Sequence, residues 1–314
     1  MPRQNSNVAE YRKASHRPEP RKTSDRTQHA LGIRAYTIDA SKGTEFEEPK
    51  NMEEIREIAR QARRSLSPSV FTPSAHKKFK QELSAAKKER QADKAFDTIE
   101  GSVNDYHCRS GHIPFTNLRP LTDGTLTAPN PDVYHGSRPE NINVKVCNEL
   151  QYLIIPSTQT DLPVLPNCFV AVKGPDGNLR VAEIQARYDG AIGARAMHAL
   201  QTWGQTEKAF DGNAYTIASV FSGGTLKLYT THPVEVSGRD EYVMTVIETF
   251  TVDGSRAKFL EAVTAYRNLR DWPKDCRDTF VEAANSSAGS RMNNQLNYAT
   301  PSTEDDLLSQ PSVR

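Results

Sequence analysis

The chain has 314 residues, enough for one ordinary domain plus substantial additional segments, and it carries a formal net charge of +1. Hydrophobic residues make up 36%, below the usual globular share, which indicates that part of the chain lies outside a packed core. No apolar run approaches the roughly 18 residues that span a bilayer and no secretory signal is evident, so we expect no association with a membrane.

The N-terminal part divides into two predicted segments. Residues 1–48 are polar, with scattered Pro, Ser and Arg, and are predicted to form a disordered basic tail. Residues 49–98 are predicted to form a helical N-terminal extension, because apolar residues recur at helical spacing in "NMEEIREIARQARRSL" and in "SAHKKFKQELSAAKKERQADKAF". Asn51, with Glu54 three residues later, has the spacing of a capping box at the start of the first helix.

Residues 99–288 change to a mixed α/β character. Strands are predicted near residues 130–135, 168–173, 214–221 and 225–231, with further candidates in "HIPFTNL" and "EYVMTVIETF". A long helix is predicted in "NLRVAEIQARYDGAIGARAMHALQTW". Two helices at the C-terminal end of this region are predicted to be separated at Pro273. Residues 289–314 are predicted to form a disordered C-terminal tail.

Positive charge is concentrated in the N-terminal third. Residues 1–30 carry seven Lys or Arg against three Asp or Glu, and residues 49–95 carry twelve against six. Such a segment contacts nucleic acid, acts in nuclear import, or forms a solvated basic tail. The cysteines Cys108, Cys147, Cys168 and Cys276 are widely spaced, which favours reduced thiols and an intracellular protein. We expect a location in the nucleus or the cytoplasm, with the nucleus slightly favoured; a protein partner stays unknown.

One predicted strand ends in a lysine. In "PNCFVAVKGPDG" four apolar residues run from Phe169 to Val172, and Lys173 follows directly before a Gly-Pro-Asp-Gly turn. Side chains in a strand alternate between its two faces, so Ala171 and Lys173 are predicted to point to the same side. A turn of this kind is not a phosphate-binding loop, because the lysine precedes the glycine.

The stretches "PSTQTDLP", "KGPDG", "YDGA" and "NAYTI" resemble a fungal family of uncharacterised proteins, which in turn resemble the PD-(D/E)xK nucleases of the restriction-endonuclease-like superfamily. The resemblance covers roughly residues 50 to 288. It implies a restriction-endonuclease-like mixed sheet flanked by helices. It also implies Mg²⁺-dependent hydrolysis of phosphodiester bonds in DNA or RNA, a reaction that needs a divalent cation and stabilisation of developing negative charge.

The resemblance assigns candidate roles to individual residues. Asp132 follows Pro131 and matches the acid that binds the metal, and Lys173 matches the motif lysine that orients water or neutralises the scissile phosphate. Gln185, with Tyr188 three residues later, resembles a Gln–Tyr element that supports the site. At the acid position two residues before the lysine stands Ala171, which has no oxygen to bind a metal.

Two other carboxylates are candidate substitutes for the missing acid. Asp161 is a candidate either for a second metal-binding carboxylate or for the acid in place of Asp132. Glu183 is predicted to lie on the wrong face of the long helix, opposite an apolar stripe, whereas Gln185 lies about 60° from the centre of that stripe. The predicted stripe consists of Val181, Ile184, Tyr188 and Ile192.

Three hypotheses remain open from the sequence. The first is a metal-dependent nuclease, and the second is an inactive nuclease fold that binds nucleic acid or a protein. The third is an interaction protein that works through its N-terminal helices. A zinc site at His107, Cys108 and His112 is not favoured, because the spacing matches no familiar zinc site.

Overall fold

A computed structural model of the chain describes residues 33–35, 47–66, 71–86, 89–103, 105–122 and 126–299. Most of the predicted basic tail, residues 1–48, and the end of the predicted C-terminal tail lie outside these described residues. The helices are α1 (Met52–Arg60), α2 (Pro73–Ala85), α3 (Glu89–Glu100), α4 (Val144–Ile154), α5 (Leu179–Gln201) and α6 (Arg256–Ala299). The strands are β1 (Ile33–Ala35), β2 (Arg109–Ser110), β3 (Val133–Ser137), β4 (Val164–Lys173), β5 (Thr216–Ser222), β6 (Thr225–Val236) and β7 (Arg239–Thr251).

The strands form one mixed sheet in the order β1-β7-β6-β5-β4-β3-β2. The pairs β4–β5 and β1–β7 are parallel and the remaining pairs are antiparallel. A parallel pair needs a crossover connection, and α5 makes it by leading from the end of β4 to the start of β5. Gly223 and Gly224 have φ values of 54° and 82°, as the tight turn between β5 and β6 requires. The predicted mixed α/β sheet flanked by helices is confirmed.

The helices of the predicted N-terminal extension, residues 49–98, pack into the main core. Ile55 of α1, Phe79 of α2 and Phe96 of α3 are buried together with Phe259 of α6 against one face of the sheet. The reason is that this apolar face of the sheet must be covered, and α6 covers only part of it.

Helix α5 covers the opposite face through small residues. Ala182, Ala186, Gly190 and Gly193 are buried on it, and a Cβ atom at Gly193 would lie only 2.6 Å from the ring of Phe169 in β4. The predicted stripe is wrong at its first member, because Val181 is 53% exposed. Close approach of the helix to the sheet requires small side chains at the contact. A sequence pattern based on large apolar residues does not mark this face of the helix.

Several local predictions differ from the structure. Helix α6 runs unbroken through Pro273 and continues to Ala299, so the predicted separation at Pro273 is wrong and residues 289–299 are helical. The segment "HIPFTNL" is not a strand. Asn51 makes no side-chain cap on α1, because its amide bonds both backbone groups of Ala214 at 2.9 Å. Among the described residues, no helix has the length and apolar character to cross a membrane.

Candidate functional site

Asp132 lies at the point where the β3–β4 ladder ends. The last paired residues at this end are Val133 and Val170, and Asp132 directly precedes Val133. Its carboxylate oxygen Oδ2 accepts a hydrogen bond of 2.7 Å from the backbone N–H of Val172. Asp132 is 9% exposed. The acid is therefore held against the end of β4 by a backbone group and does not project freely into solvent.

Lys173 meets the same oxygen of Asp132. Its Nζ atom lies 3.3 Å from Asp132 Oδ2 and 3.0 Å from the carbonyl oxygen of Val172. Phe169 and Ala171 pack on the α5 side of the sheet, and period-2 alternation places Lys173 on that side as well. Asp132 and Lys173 therefore meet at the end of β4.

Gln185 closes the third side of a cleft at this edge. Its amide nitrogen donates a hydrogen bond of 3.1 Å to the carbonyl oxygen of Asn130, in the loop that leads to β3. The cleft lies between that loop, the end of β4 and the first turns of α5. It is lined by Pro129, Asn130, Asp132, Lys173, Gln185 and Asp189, with Val181, Ile184 and Tyr188 at its helical wall. All three predicted catalytic residues thus line a single cleft.

Asp189, which was not predicted from the sequence, also lines this cleft. The residue is 1% exposed, and within the described part of the chain neither carboxylate oxygen has a hydrogen-bond partner. Burial raises its pKa well above the ordinary value; the charge of Asp132 adds to this increase and that of Lys173 opposes it. Asp189 lies four residues after Gln185 on the same helix. That spacing places both on one face, and it was the signal that could have revealed Asp189.

The other weighed carboxylates lie elsewhere. Asp161 is exposed in the turn before β4, whereas Lys173 ends that strand, and Asp161 does not line the cleft. Glu183 accepts bonds of 2.7 Å from Lys227 and 3.0 Å from Tyr229 of β6, so it is engaged on the sheet and does not reach the cleft. Ala171 is buried among small residues of α5, including Ala182 and Ala186.

His112 approaches Asp132 from the other side of the strand end. Its Nδ1 atom lies 3.8 Å from Asp132 Oδ1, and the ring is largely exposed. His112 has a φ of 54°, a left-handed conformation that non-glycine residues seldom adopt. Cys108, a residue of the disfavoured zinc site, donates its S–H to Asp105 at 3.3 Å. Among the described residues, no group of three His, Cys, Asp or Glu is arranged to hold a metal.

A buried ionic cluster fixes the position of β3 on the side facing α3. Glu100, at the end of α3, accepts hydrogen bonds of 2.7 Å from Arg109 and 3.1 Å from His135. Burial raises the pKa of Glu100, but these hydrogen bonds outweigh it and lower the pKa to about 2. Burial lowers the pKa of His135, and the contact with Glu100 acts in the opposite direction. The guanidinium group of Arg109 lies 2.7 Å from the same carboxylate and supplies a positive charge.

The sequence matches a family described as "Domain of unknown function (DUF7924)" over residues 51–283. The chain belongs to this family. The match begins at the start of α1 and ends within α6, so it includes the N-terminal helices and every residue of the cleft. No curated protein matches the chain. No solved structure matches it either.

Proposed function

We propose that this chain hydrolyses phosphodiester bonds of DNA or RNA in a Mg²⁺-dependent reaction at the cleft of Asp132, Lys173 and Gln185. The observation that carries the proposal is the contact of 3.3 Å between Lys173 Nζ and Asp132 Oδ2. A carboxylate that can bind a hard cation and a lysine that can neutralise a phosphate thus stand side by side at the edge of a cleft.

The residues of the cleft fit a magnesium ion. Magnesium prefers oxygen ligands and keeps several waters, and it is commonly bound by one or two carboxylates together with substrate phosphates. Asp132 would hold it, and a complete cage of protein side chains is not needed. When bound, the ion would polarise the phosphoryl oxygens and lower the pKa of a bound water.

The remaining residues would position the substrate and balance charge. Lys173, held by Asp132 and by the Val172 carbonyl oxygen, would offer its ammonium group to a nonbridging phosphate oxygen as negative charge develops. Gln185, anchored on the Asn130 carbonyl oxygen, would hold the loop before β3 against α5. Tyr188 lines the helical wall of the cleft and would contact the sugar or base of the substrate.

A relationship to restriction-endonuclease-like nucleases is part of this proposal. It is supported by an antiparallel strand pair in which Pro131-Asp132 directly precede β3 and Lys173 ends β4. Helix α5 then bears Gln185 and leads to β5, which is parallel to β4. A location in the nucleus or cytoplasm belongs to the proposal too, because all four cysteines are free thiols.

A second candidate function is binding of nucleic acid without cleavage. Ala171 has no oxygen to offer, and Asp161 lies outside the cleft. The strand pair β3–β4 therefore brings a single carboxylate to the cleft. A fold of this kind that has lost a metal ligand retains the lysine and the cleft but not the reaction, and such a protein binds phosphates through charge alone.

Cleavage assays separate the two candidates. The full chain is incubated with linear double-stranded DNA, single-stranded DNA and RNA in Mg²⁺ or Mn²⁺, beside Lys173→Ala and Lys258→Ala. Lys258 is a control lysine on α6, exposed and paired with Glu261 at 3.0 Å. Cleavage that Lys173→Ala reduces by at least about 100-fold and Lys258→Ala leaves unchanged supports hydrolysis. Salt-sensitive binding with no cleavage of any substrate supports the second candidate and ends the first.

A further inference from the structure

The carboxyl group of Asp189 is an unexplained feature of the cleft. It is 1% exposed, and neither buried oxygen has a hydrogen-bond partner among the residues that the structure describes. An isolated buried carboxylate is costly, so buried acids are normally paired, hydrogen-bonded or bound to a metal. Glu100 and Glu183 follow that rule, since each accepts hydrogen bonds from cationic or hydroxyl groups. Asp189 departs from it in a cleft that Asp132 and Lys173 also line.

The surroundings of Asp189 specify what kind of ligand it could take. Asp189 lines the same cleft as Asp132 and Lys173. Two neighbouring carboxyl groups disfavour each other's ionised form. A small hard cation favours the ionised form of both and accepts their oxygen atoms as ligands.

The packing of α5 explains why this carboxylate comes from the helix. Ala171 is in the same buried cluster as Ala182 and Ala186, so the helix backbone lies close over the strand position where an acid is missing. A longer side chain at 171 would be confined beneath α5. Asp189 lies about one turn beyond Ala186 on that helix and brings a carboxyl group to the neighbouring cleft without disturbing the close contact.

We propose that Asp189 and Asp132 together form a divalent-cation site, in which Asp189 supplies the carboxylate that Ala171 lacks. The inference rests on the proposed function, because it places the cation of that reaction between β3 and α5. It makes a separate claim nonetheless: cation binding at these two residues can be measured without any cleavage. Asp189 would be a ligand, and Gln185 one turn earlier would lie beside the site.

Direct binding of Mn²⁺ tests the site. The full chain is titrated with Mn²⁺ while free Mn²⁺ is followed by electron paramagnetic resonance, for the wild type, Asp132→Asn, Asp189→Asn and Glu183→Gln. Glu183 is the matched control, a half-buried carboxylate on the same helix that binds Lys227 and Tyr229. We expect saturable binding by the wild type and by Glu183→Gln. Both aspartate variants should bind Mn²⁺ at least about tenfold more weakly. Even the loss of a residue that hydrogen-bonds to a metal ligand weakens metal binding to this extent.

A second measurement needs no variant and covers the case in which Asp189→Asn does not fold. Fe²⁺ bound in place of the cation, with ascorbate and peroxide, cuts the backbone beside its ligands, and mass spectrometry locates the cuts. Cuts near both 132 and 189 support the site. Cuts confined elsewhere, no Mn²⁺ binding, or full-strength Mn²⁺ binding by Asp189→Asn each overturn it.

The two proposals fail in distinguishable ways. Tight Mn²⁺ binding that depends on Asp189, without cleavage of any nucleic acid, leaves the cation site intact and contradicts the hydrolysis. Cleavage that depends on Lys173 but is unchanged in Asp189→Asn leaves the hydrolysis intact and contradicts the role of Asp189.

Discussion

The side chain of Asp132 continues the hydrogen-bonded ladder between β3 and β4 by one step. Backbone pairing ends at Val133 and Val170, and Asp132 Oδ2 then accepts the N–H of Val172 at 2.7 Å. A buried backbone N–H without an acceptor is costly, so the aspartate stabilises the strand end as well as carrying charge. Its structural and chemical roles can be separated by substitution.

Asp132→Ala should destabilise the protein by about 1–3 kcal/mol, because the N–H of Val172 loses its acceptor. Asp132→Asn retains an amide oxygen at the same position and should cost less. The free energy of unfolding, measured with urea, checks the difference. Equal stability of the two variants would show that the bond to Val172 contributes nothing. If the proposed function holds, both variants should lose cleavage alike.

The resemblance to PD-(D/E)xK nucleases assigned Asp132 and Lys173 to one site, and period-2 alternation placed the lysine on the same face as Ala171. The strands around both residues and the hairpin at Gly223 and Gly224 follow from local sequence signals. Those signals predicted much of the sheet, whereas the meeting of the two residues was implied by the resemblance.

The face of α5 that contacts the sheet was not predicted correctly from the sequence, because it depends on tertiary packing. Val181 and Ile184 look like core residues, yet they line the cleft, while Ala182 and Ala186 contact the sheet. Small residues carry a weak hydrophobic signal, so the contact face was assigned to the larger ones. With that face misassigned, Asp189 was not recognised beside Gln185. The course of α6 through Pro273 was missed for a similar reason, because surrounding contacts override a local breaker signal.

The buried cluster around Glu100 should be important for stability. Glu100→Gln leaves Arg109 without its counter-ion, and the guanidinium side chain is only 27% exposed. We expect a loss of about 3 kcal/mol, near the lower end of the range for an orphaned buried charge. Urea unfolding measures it, with Glu140→Gln as control because that carboxylate is exposed and 3.6 Å from Arg138. A loss no larger than that of the control would contradict the role of the cluster.

Stability should fall as the solution becomes acidic, partly through His232. The ring is 3% exposed, and burial lowers its pKa to about 4, although a backbone bond to Val243 and the charge of Asp211 act in the opposite direction. The unfolded ring has a pKa near 6.5, so below that pH the unfolded chain binds the proton more readily. The contribution of the neutral ring is fully present above pH ~6.5 and is lost as the pH falls towards ~4.

The measurement is the free energy of unfolding between pH 7 and pH 4 for the wild type, His232→Gln and the control His107→Gln. His107 is exposed. The wild type and the control should lose stability over this range more steeply than His232→Gln, by at most about 3 kcal/mol. Identical pH dependence of His232→Gln and the wild type would show that the ring does not titrate differently on folding.

Gly193 tests whether close packing of α5 sets the geometry of the cleft. A Cβ atom there would lie 2.6 Å from Phe169 Cε2, 2.8 Å from Thr216 Cγ2 and 3.1 Å from the carbonyl oxygen of Pro166. Gly193→Ala gains about 1 kcal/mol of helix propensity but should still destabilise the protein by about 1–3 kcal/mol through overpacking. Gly289→Ala is the matched control, a helical glycine with nothing within 4 Å of an added Cβ.

We expect Gly289→Ala to stabilise the protein by about 0.5–1 kcal/mol in urea unfolding, opposite in sign to Gly193→Ala. The added methyl group at 193 must also lift α5 from β4, and α5 carries Gln185 and Asp189 while β4 carries Lys173. Gly193→Ala should therefore weaken Mn²⁺ binding, whereas Gly289→Ala should not. A stabilised Gly193→Ala variant would mean that α5 can move away from the sheet freely. The close contact would then not be what holds the two sides of the cleft together.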